Sequence, residues 1–194
     1  MRGFWAAAVV VCAVGCAGTK QTGAVRPATE TAPVAAAPQT RDASQPQRFV
    51  DQEYGFSIER PGERWTFKPS DNLSTEHIAV PLVISDTATN AQVVVQIAPA
   101  VATPAQFAER LTVGLQSRAG FVTTDIQPIP LADGAVGFDF KAGEEVLGKV
   151  AILEGEEGKV YVLLATWPTN AGTAVEQDVD RILGSMRREE QELR

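Results

Sequence analysis

The fold is decided by residues 146–167, which read VLGKVAILEGEEGKVYVLLATW. Two apolar runs, 146–153 and 159–167, lie on either side of a Gly-Glu-Glu-Gly segment at 155–158, and a break of that length suits a hairpin between antiparallel strands. The second run is apolar at consecutive positions over 160–165, so both of its faces need to be covered. We therefore predict that this strand lies in the centre of a sheet, with another layer on each side.

The neighbouring segments predict further strands. Short breaks at 133–134 and 142–143 separate the hairpin from two more apolar runs, so we expect an antiparallel meander of four strands. Alternating or β-branched runs also come earlier in the chain, with turn signals at 61–62 and 86–90. The additional predicted strands are 56–58, 65–67, 78–85, 92–98, 121–129 and 135–141.

Two segments have the periodicity of an amphipathic helix. The sequence TPAQ at 103–106 predicts a capping box with proline in the first turn, and TAVE at 173–176 predicts a second capping box that opens the last helix. Apolar residues recur at intervals of three or four after each box, which indicates one buried face per helix. These faces are Phe107, Leu111 and Leu115 in the first helix, and Val175, Val179, Ile182 and Met186 in the last.

The order of elements is strands, helix, four strands, helix. This order predicts the α+β class, with an antiparallel sheet and helices packed on it as an α-β-α sandwich. The net charge of −7 in 194 residues disfavours nonspecific nucleic-acid binding, so no nucleic-acid partner is expected. With two cysteines and one histidine, a Cys/His zinc site, a haem site and a cysteine-histidine pair are disfavoured as well, and no cofactor or metal is predicted.

The N-terminal residues 1–17, MRGFWAAAVVVCAVGCA, resemble the signal peptide of a bacterial lipoprotein. One positive charge precedes an apolar run at 4–14, which has the length of a signal-peptide core and is short for a transmembrane helix. The run ends in AVGC at 13–16, which resembles a lipobox with alanine where leucine is usual. The resemblance implies cleavage after residue 15 and stable anchoring through several acyl chains on Cys16. An ordinary secretory signal, with Cys16 incidental, is the alternative.

The residues after Cys16 predict a disordered tether. The segment 17–48 is rich in alanine, threonine, proline and glutamine and has no aromatic residue, so it cannot bury enough apolar surface to offset its ordering entropy. Ala17 stands where an aspartate is the usual inner-membrane retention signal, and the resemblance therefore implies the outer membrane. The predicted organisation is a signal peptide at 1–15, the lipidated cysteine and tether at 16–48, a folded domain at 49–187 and a charged tail at 188–194.

The start of the folded region resembles the opening of PsbP-like and DcrB-like domains. DQEYGFSIERP at 51–61, followed by Trp65, has their aspartate, GFSI-like phrase, proline and tryptophan. The end is similar too, with a tyrosine-bearing strand and a last helix that closes with an isoleucine and Ser185-Met186. The resemblance covers 49–187. It implies an α-β-α sandwich with a non-enzymatic accessory or binding role and no catalytic residues.

Few residues indicate a reactive site. His77 has no accompanying nucleophile motif, so we expect a surface histidine, with a general base or lone ligand as the alternative. Glutamates at 144, 145, 154, 156 and 157 lie at predicted hairpin turns without calcium-loop spacing, so we expect them to keep these turns solvated, with calcium binding or glycoside hydrolysis as the alternatives.

Three aromatic residues are candidates for ligand binding. Trp65, Trp167 and Tyr161 lie on predicted strands, and Trp167 precedes a proline where the strand ends. Large aromatic side chains serve as ligand platforms or as core residues, and the sequence leaves both open.

Taken together, the sequence favours a lipid-anchored, non-enzymatic cell-envelope protein that acts as an adaptor or accessory factor for a membrane or periplasmic complex. Its expected partners are the membrane, through Cys16, and an envelope protein. The alternative is a periplasmic small-ligand carrier or sensor with a cleft near Trp65 and Trp167. An adaptor predicts an exposed apolar surface, a carrier predicts a pocket with a few convergent polar groups, and an enzyme would need a perturbed acidic pair in such a pocket.

Overall fold

A computed structural model describes residues 47–73, 78–156 and 158–189. The predicted signal peptide, Cys16, most of the predicted tether and His77 lie outside these residues. Within them the chain forms eleven strands and two helices. In chain order they are β1 (Gln47–Asp51), β2 (Phe56–Arg60), β3 (Trp65–Leu73), β4 (Ala79–Asp86), β5 (Ala91–Pro99), α1 (Pro104–Gln116), β6 (Phe121–Thr123), β7 (Gln127–Pro128), β8 (Val136–Ala142), β9 (Val146–Glu154), β10 (Lys159–Pro168), α2 (Thr173–Gly184) and β11 (Arg187–Arg188).

The larger sheet has eight strands in the order β3-β4-β5-β10-β9-β8-β6, with β7 also paired to β8. All of its pairs are antiparallel. The central position predicted for the strand at 159–167 is confirmed, because β10 lies between β5 and β9. The alternation of side chains in β10 sends Leu163 into one buried cluster and Val162 into the other, so both faces are covered.

The predicted strand at 121–129 is divided into β6 and β7. Between them, the hydroxyl of Thr124 accepts a hydrogen bond from the backbone N–H of Asp139 at 2.9 Å. In a regular ladder a backbone carbonyl would be the acceptor, so the side chain replaces a backbone contact here. Pro128 and Pro130 also lack the N–H that a continued ladder needs. The segment therefore leaves the sheet edge soon after residue 123 and rejoins it only over two residues.

A second, three-stranded sheet in the order β1-β2-β11 was not predicted as a separate sheet. It extends the folded domain beyond the predicted bounds of 49–187, since β1 begins at Gln47 and β11 includes Arg188. The residues at the two ends of the domain are polar, and their composition resembles that of the predicted tether and the predicted tail. They nevertheless contact each other. The guanidinium of Arg48 and the hydroxyl of Ser57 both donate to the carboxylate of Glu189. The hydrogen bond from Ser57 lowers the pKa of Glu189 and Arg48 lowers it further, and together they outweigh burial, which would raise it.

The layers are those of an α-β-α sandwich in the α+β class. Helix α2 and the small sheet pack on one face of the large sheet, and α1 packs on the other. Neither of the described helices is long and apolar enough to cross a membrane.

The two helices begin differently. The capping box of α1 is confirmed, because the Thr103 hydroxyl accepts from the N–H of Gln106 at 3.3 Å and the Gln106 side chain accepts from the N–H of Thr103 at 3.2 Å. The capping box predicted for α2 is wrong. Thr173 is the first helical residue, and the cap is Gly172, whose φ of 82° lies in the left-handed region that glycine adopts readily.

Candidate functional site

The three aromatic residues predicted as ligand-binding candidates lie in the core on the α2 side of the large sheet. Trp65 and Tyr161 are fully buried, and Trp167 is 4% exposed. Of the two alternatives that the sequence left open, core residue or ligand platform, the three side chains are placed as core residues. None of the three lines the cleft described below.

Trp65 helps to attach α2 to the sheet. Its indole N–H donates to the carboxylate of Asp178 on α2 at 3.1 Å. Arg64 bridges the same Asp178 oxygen at 2.9 Å and the buried Asp86 at 3.2 Å. Asp86 in turn accepts from the N–H of Ala88 at 3.0 Å in the β4–β5 turn. This network joins the helix to the end of two strands and satisfies the polar atom of a buried tryptophan.

Tyr161 holds the turn between β1 and β2 against the central strand. Its hydroxyl donates to the carbonyl oxygen of Tyr54 at 2.5 Å and accepts from the N–H of Glu156 at 3.4 Å. Burial raises the pKa of Tyr161, since the phenolate would be poorly solvated there. The hydroxyl thus has a structural role.

The acidic residues predicted at hairpin turns are spread over the surface. Glu144 pairs with Lys141 at 2.7 Å, and this hydrogen bond lowers the pKa of Glu144. Among the residues that the structure describes, no group of three or more histidine, cysteine, aspartate or glutamate side chains could hold a metal ion.

A cleft of about 490 Å³ lies between the end of α2 and the segment 124–131; we call it the α2 cleft. Its floor is formed by β8 and β9, where Gly137 pairs with Ala151 and Asp139 pairs with Lys149. Its volume falls within the range of about 300–1,000 Å³ that is typical of small-ligand sites, and it is open to solvent.

Charged side chains meet on the floor of the α2 cleft. The ammonium of Lys149 is 2.7 Å from Asp180 and 3.3 Å from Glu176, both on α2. Burial alone would lower the pKa of Lys149, but these partners and the charge of Asp139 outweigh it and the pKa is raised. Burial raises the pKa of Asp139, and Asp180 and Glu176 raise it further, although Lys149 opposes them.

The sequence prediction missed this group. Its signal was a charged residue at the middle of each of two largely apolar strands, Asp139 in VGFDFKA and Lys149 in VLGKVAILE. The predicted hairpin between these strands places the two residues opposite each other once the register is known.

The large sheet also carries an incompletely covered face on its α1 side. Helix α1 packs on β6, β8 and β9, and no helix of the described residues covers this face of β3, β4 and β5, which lie beyond β10. Two cross-strand rows face outward there, and we call these residues the bare strip. One row is Lys68, Val83, Val94 and Leu164, and the other is Thr66, Ser85, Gln92 and Thr166.

Comparisons with known proteins identify the fold and nothing finer. No protein-family model matches the chain, and no curated protein matches it either. Among solved structures, the chain resembles the solution structure of cyanobacterial PsbP from Synechocystis sp. PCC 6803, with a TM-score of 0.53 and 15% identity over 79% of this chain and 98% of that one. At this identity the likeness is one of fold, and the described domain has a PsbP-like fold.

Proposed function

We propose that this chain is a lipid-anchored, non-enzymatic cell-envelope protein whose domain serves as an adaptor for a membrane or periplasmic complex. The lipobox-like AVGC at 13–16 supports the anchor, and the composition of 17–46 supports a flexible connection to the domain. Anchoring raises the effective concentration of a weak partner near the membrane. Ala17 after the cysteine favours the outer membrane.

The bare strip is the observation that carries the adaptor role. Val83, Val94 and Leu164 are half-buried, side by side on adjacent strands, and Lys68 is the single charged residue of the strip. In a chain with a net charge of −7, such a surface has the depletion of charge that is typical of interface centres.

The dimensions of the bare strip favour a helix as its occupant. The four strands of the bare strip, spaced by about 4.8 Å, span about 14 Å, which gives room for one α-helix with a diameter of about 10–12 Å including its side chains. Helix α1 already covers the adjoining half of this face with Phe107, Leu111 and Leu115. An amphipathic helix of the partner, lying beside α1, would complete the layer.

The anchor is tested by membrane fractionation of Cys16→Ser. We expect this variant to leave the membrane fraction and to lose incorporated fatty acid, while Cys12→Ser, a change within the same apolar run, leaves both unchanged. A Cys16→Ser protein that remains acylated and membrane-bound would contradict the anchor.

The adaptor role is tested by photo-crosslinking in cells with a reactive residue at Val94, and at Val113 as the control. Val113 is an equally small apolar side chain, 66% exposed, on the other face of α1 from the sheet. We expect a defined envelope protein to be captured from Val94 alone, through a peptide from an amphipathic helix, and only with Cys16 intact. Equal capture from both positions, no capture from Val94, or capture of a second copy of this chain would overturn the proposal.

The α2 cleft favours a second candidate, a periplasmic small-ligand carrier or sensor. It combines apolar walls with a few convergent polar groups, as ligand sites do. This candidate replaces the predicted cleft near Trp65 and Trp167 by the α2 cleft, which neither tryptophan lines and which Leu183 and Gly184 do.

A further inference from the structure

The walls of the α2 cleft are apolar and are held in place by the fold. Ile129 donates its N–H to the carbonyl of Ala135 at 3.0 Å and packs over Gly137. A Cβ at Gly137 would lie 2.8 Å from the carbonyl oxygen of Val150 and 3.1 Å from Cγ2 of Ile129, so only glycine allows this approach. Leu183 of α2 also lines the cleft, and Ile129 packs against the core cluster that contains it. The cleft thus has a fixed apolar wall beside its charged floor.

One carboxylate of the cleft, that of the exposed Asp139, has only the charge of Lys149 as its neighbour of opposite sign among the described residues. Lys149 is engaged by Asp180 and Glu176, which lie on the helix side of the floor. Asp139 lies across the strand pair from Lys149, yet its carboxylate forms no hydrogen bond or ion pair with another described residue. Asp125 adds a further carboxylate at the rim. Asp180, Glu176 and Asp139 act on the one ammonium, and Asp125 adds negative charge at the rim, so carboxylates outnumber cations and the potential in the cleft favours a cation.

The combination of an apolar wall and an excess of carboxylates defines a class of ligand. We propose that the α2 cleft binds a small organic cation, with its ammonium group on the carboxylate of Asp139 and its apolar body against Ile129 and Leu183. A charge-assisted hydrogen bond to Asp139 would give the ligand its orientation, and burial of the apolar body would supply the remaining affinity. This inference rests on the carrier candidate and specifies its ligand; it is independent of the partner helix on the bare strip.

The test uses the full-length acylated protein in detergent micelles and three probes of similar shape. Benzylammonium, benzyl alcohol and benzoate share one ring and differ in charge. Ring stacking and partitioning of the ring into the micelle are therefore common to all three, and differences in binding report the effect of charge. We expect saturable shifts of the Gly137 and Gly184 amide signals with benzylammonium, and at least about tenfold weaker binding of the other two, because an interaction with a charged group is lost.

Two variants locate the site. Asp139→Asn should weaken benzylammonium binding by about tenfold or more, whereas Glu154→Gln, which removes the same charge from the exposed end of β9, should change it by less than about twofold. Gly184→Leu is a second variant, because a Cβ there meets open space and a larger side chain would fill the edge of the cleft without a clash. It should abolish the saturable shifts at an unchanged unfolding temperature.

Three results would overturn the inference. They are the absence of saturable benzylammonium binding, equal binding of benzoate, and equal weakening by Asp139→Asn and Glu154→Gln. If benzyl alcohol binds in the cleft as tightly as benzylammonium, the carrier candidate stands and the cationic class fails. If no probe binds, both fail, and crosslinking from Val94 still tests the adaptor role by itself.

Discussion

The two faces of the large sheet are covered to different degrees. On the α2 side, four residues of the helix are buried, and the small sheet adds a second cover that includes Phe56 and Ile58. On the α1 side, Ala108 is the one residue of the helix that is buried, and neither of the two described helices lies over β3 to β5. The comparison separates two roles: the α2 face holds the domain together, and the α1 face has surface left for a partner.

Polar contacts follow the same division. Asp178 of α2 binds Trp65 and Arg64, and Tyr161 binds the carbonyl of Tyr54, so the α2 face adds hydrogen bonds to its apolar contacts. Helix α1 contributes Gln116, whose amide donates to Thr123 at 2.7 Å at an exposed site. Because buried hydrogen bonds leave unsatisfied groups when broken, the α2 face should be the less tolerant of substitution.

The largest expected effect contrasts two adjacent leucines of β10. Leu163 is fully buried on the α2 face, and Leu164 is half-buried on the α1 face. Leu163→Ala should lower the free energy of unfolding by about 2–5 kcal/mol, because it opens a cavity in a packed core. Leu164→Ala should cost about 1 kcal/mol, since less apolar area is lost. Urea unfolding followed by tryptophan fluorescence measures both, and equal losses would contradict the proposed difference between the faces.

A smaller effect is expected for the hydroxyl of Tyr161. Tyr161→Phe should lower the free energy of unfolding by about 1–2 kcal/mol, because the carbonyl of Tyr54 and the N–H of Glu156 lose their partner.

The Tyr161 contribution should also depend on pH in the alkaline range. Since the folded-state pKa is raised, the stabilisation is complete below the unfolded pKa of about 10 and is lost as the pH rises through the folded value. The stability difference between Tyr161→Phe and the wild type should therefore be constant from neutral pH to about 9 and narrow above about 10. A difference that stays constant at high pH would mean that another group carries the alkaline dependence.

The smallest expected effect compares the starts of the two helices. Thr103→Ala removes the capping bonds of α1 and should cost about 1 kcal/mol. Thr173→Ala is the matched control, since Thr173 lies inside the first turn of α2 and forms no cap, so its effect should be close to zero. Thermal unfolding of both variants checks the prediction. A greater loss of stability from Thr173→Ala than from Thr103→Ala would support the capping box that the sequence predicted for α2.

The sequence predicted the large sheet well because its strands carry their own signal. The consecutive apolar residues of 160–165 require cover on both faces, which indicates a central strand without knowledge of its neighbours. The small sheet was missed for the opposite reason. Arg187 and Arg188 are charged and exposed, and their pairing with Ser57 and Phe56 depends on a chain reversal after α2 that no local pattern encodes.

The candidate sites were harder to predict, because each depends on contacts between distant segments. Trp65 has the composition of a ligand platform, but Asp178, more than a hundred residues later, provides its hydrogen bond. Asp139 and Lys149 look like ordinary surface charges until α2 brings Asp180 and Glu176 over them. The bare strip could not be foreseen at all, since it depends on which strands α1 leaves uncovered.

The small sheet has a consequence for how a pulling force would reach the domain. The chain enters through β1 and ends beyond β11, and both lie against β2, one on each side. Arg48 and Ser57 hold Glu189 across this sheet, and the ring of Phe49 packs 5.7 Å from that of Phe67. In the anchored arrangement proposed above, tension on the tether would be shared between the first strand and the last before it reached β10. The two ends of the domain thus resist a pulling force together, and loss of the C-terminal residues would weaken the pairing of β1 with the rest of the domain.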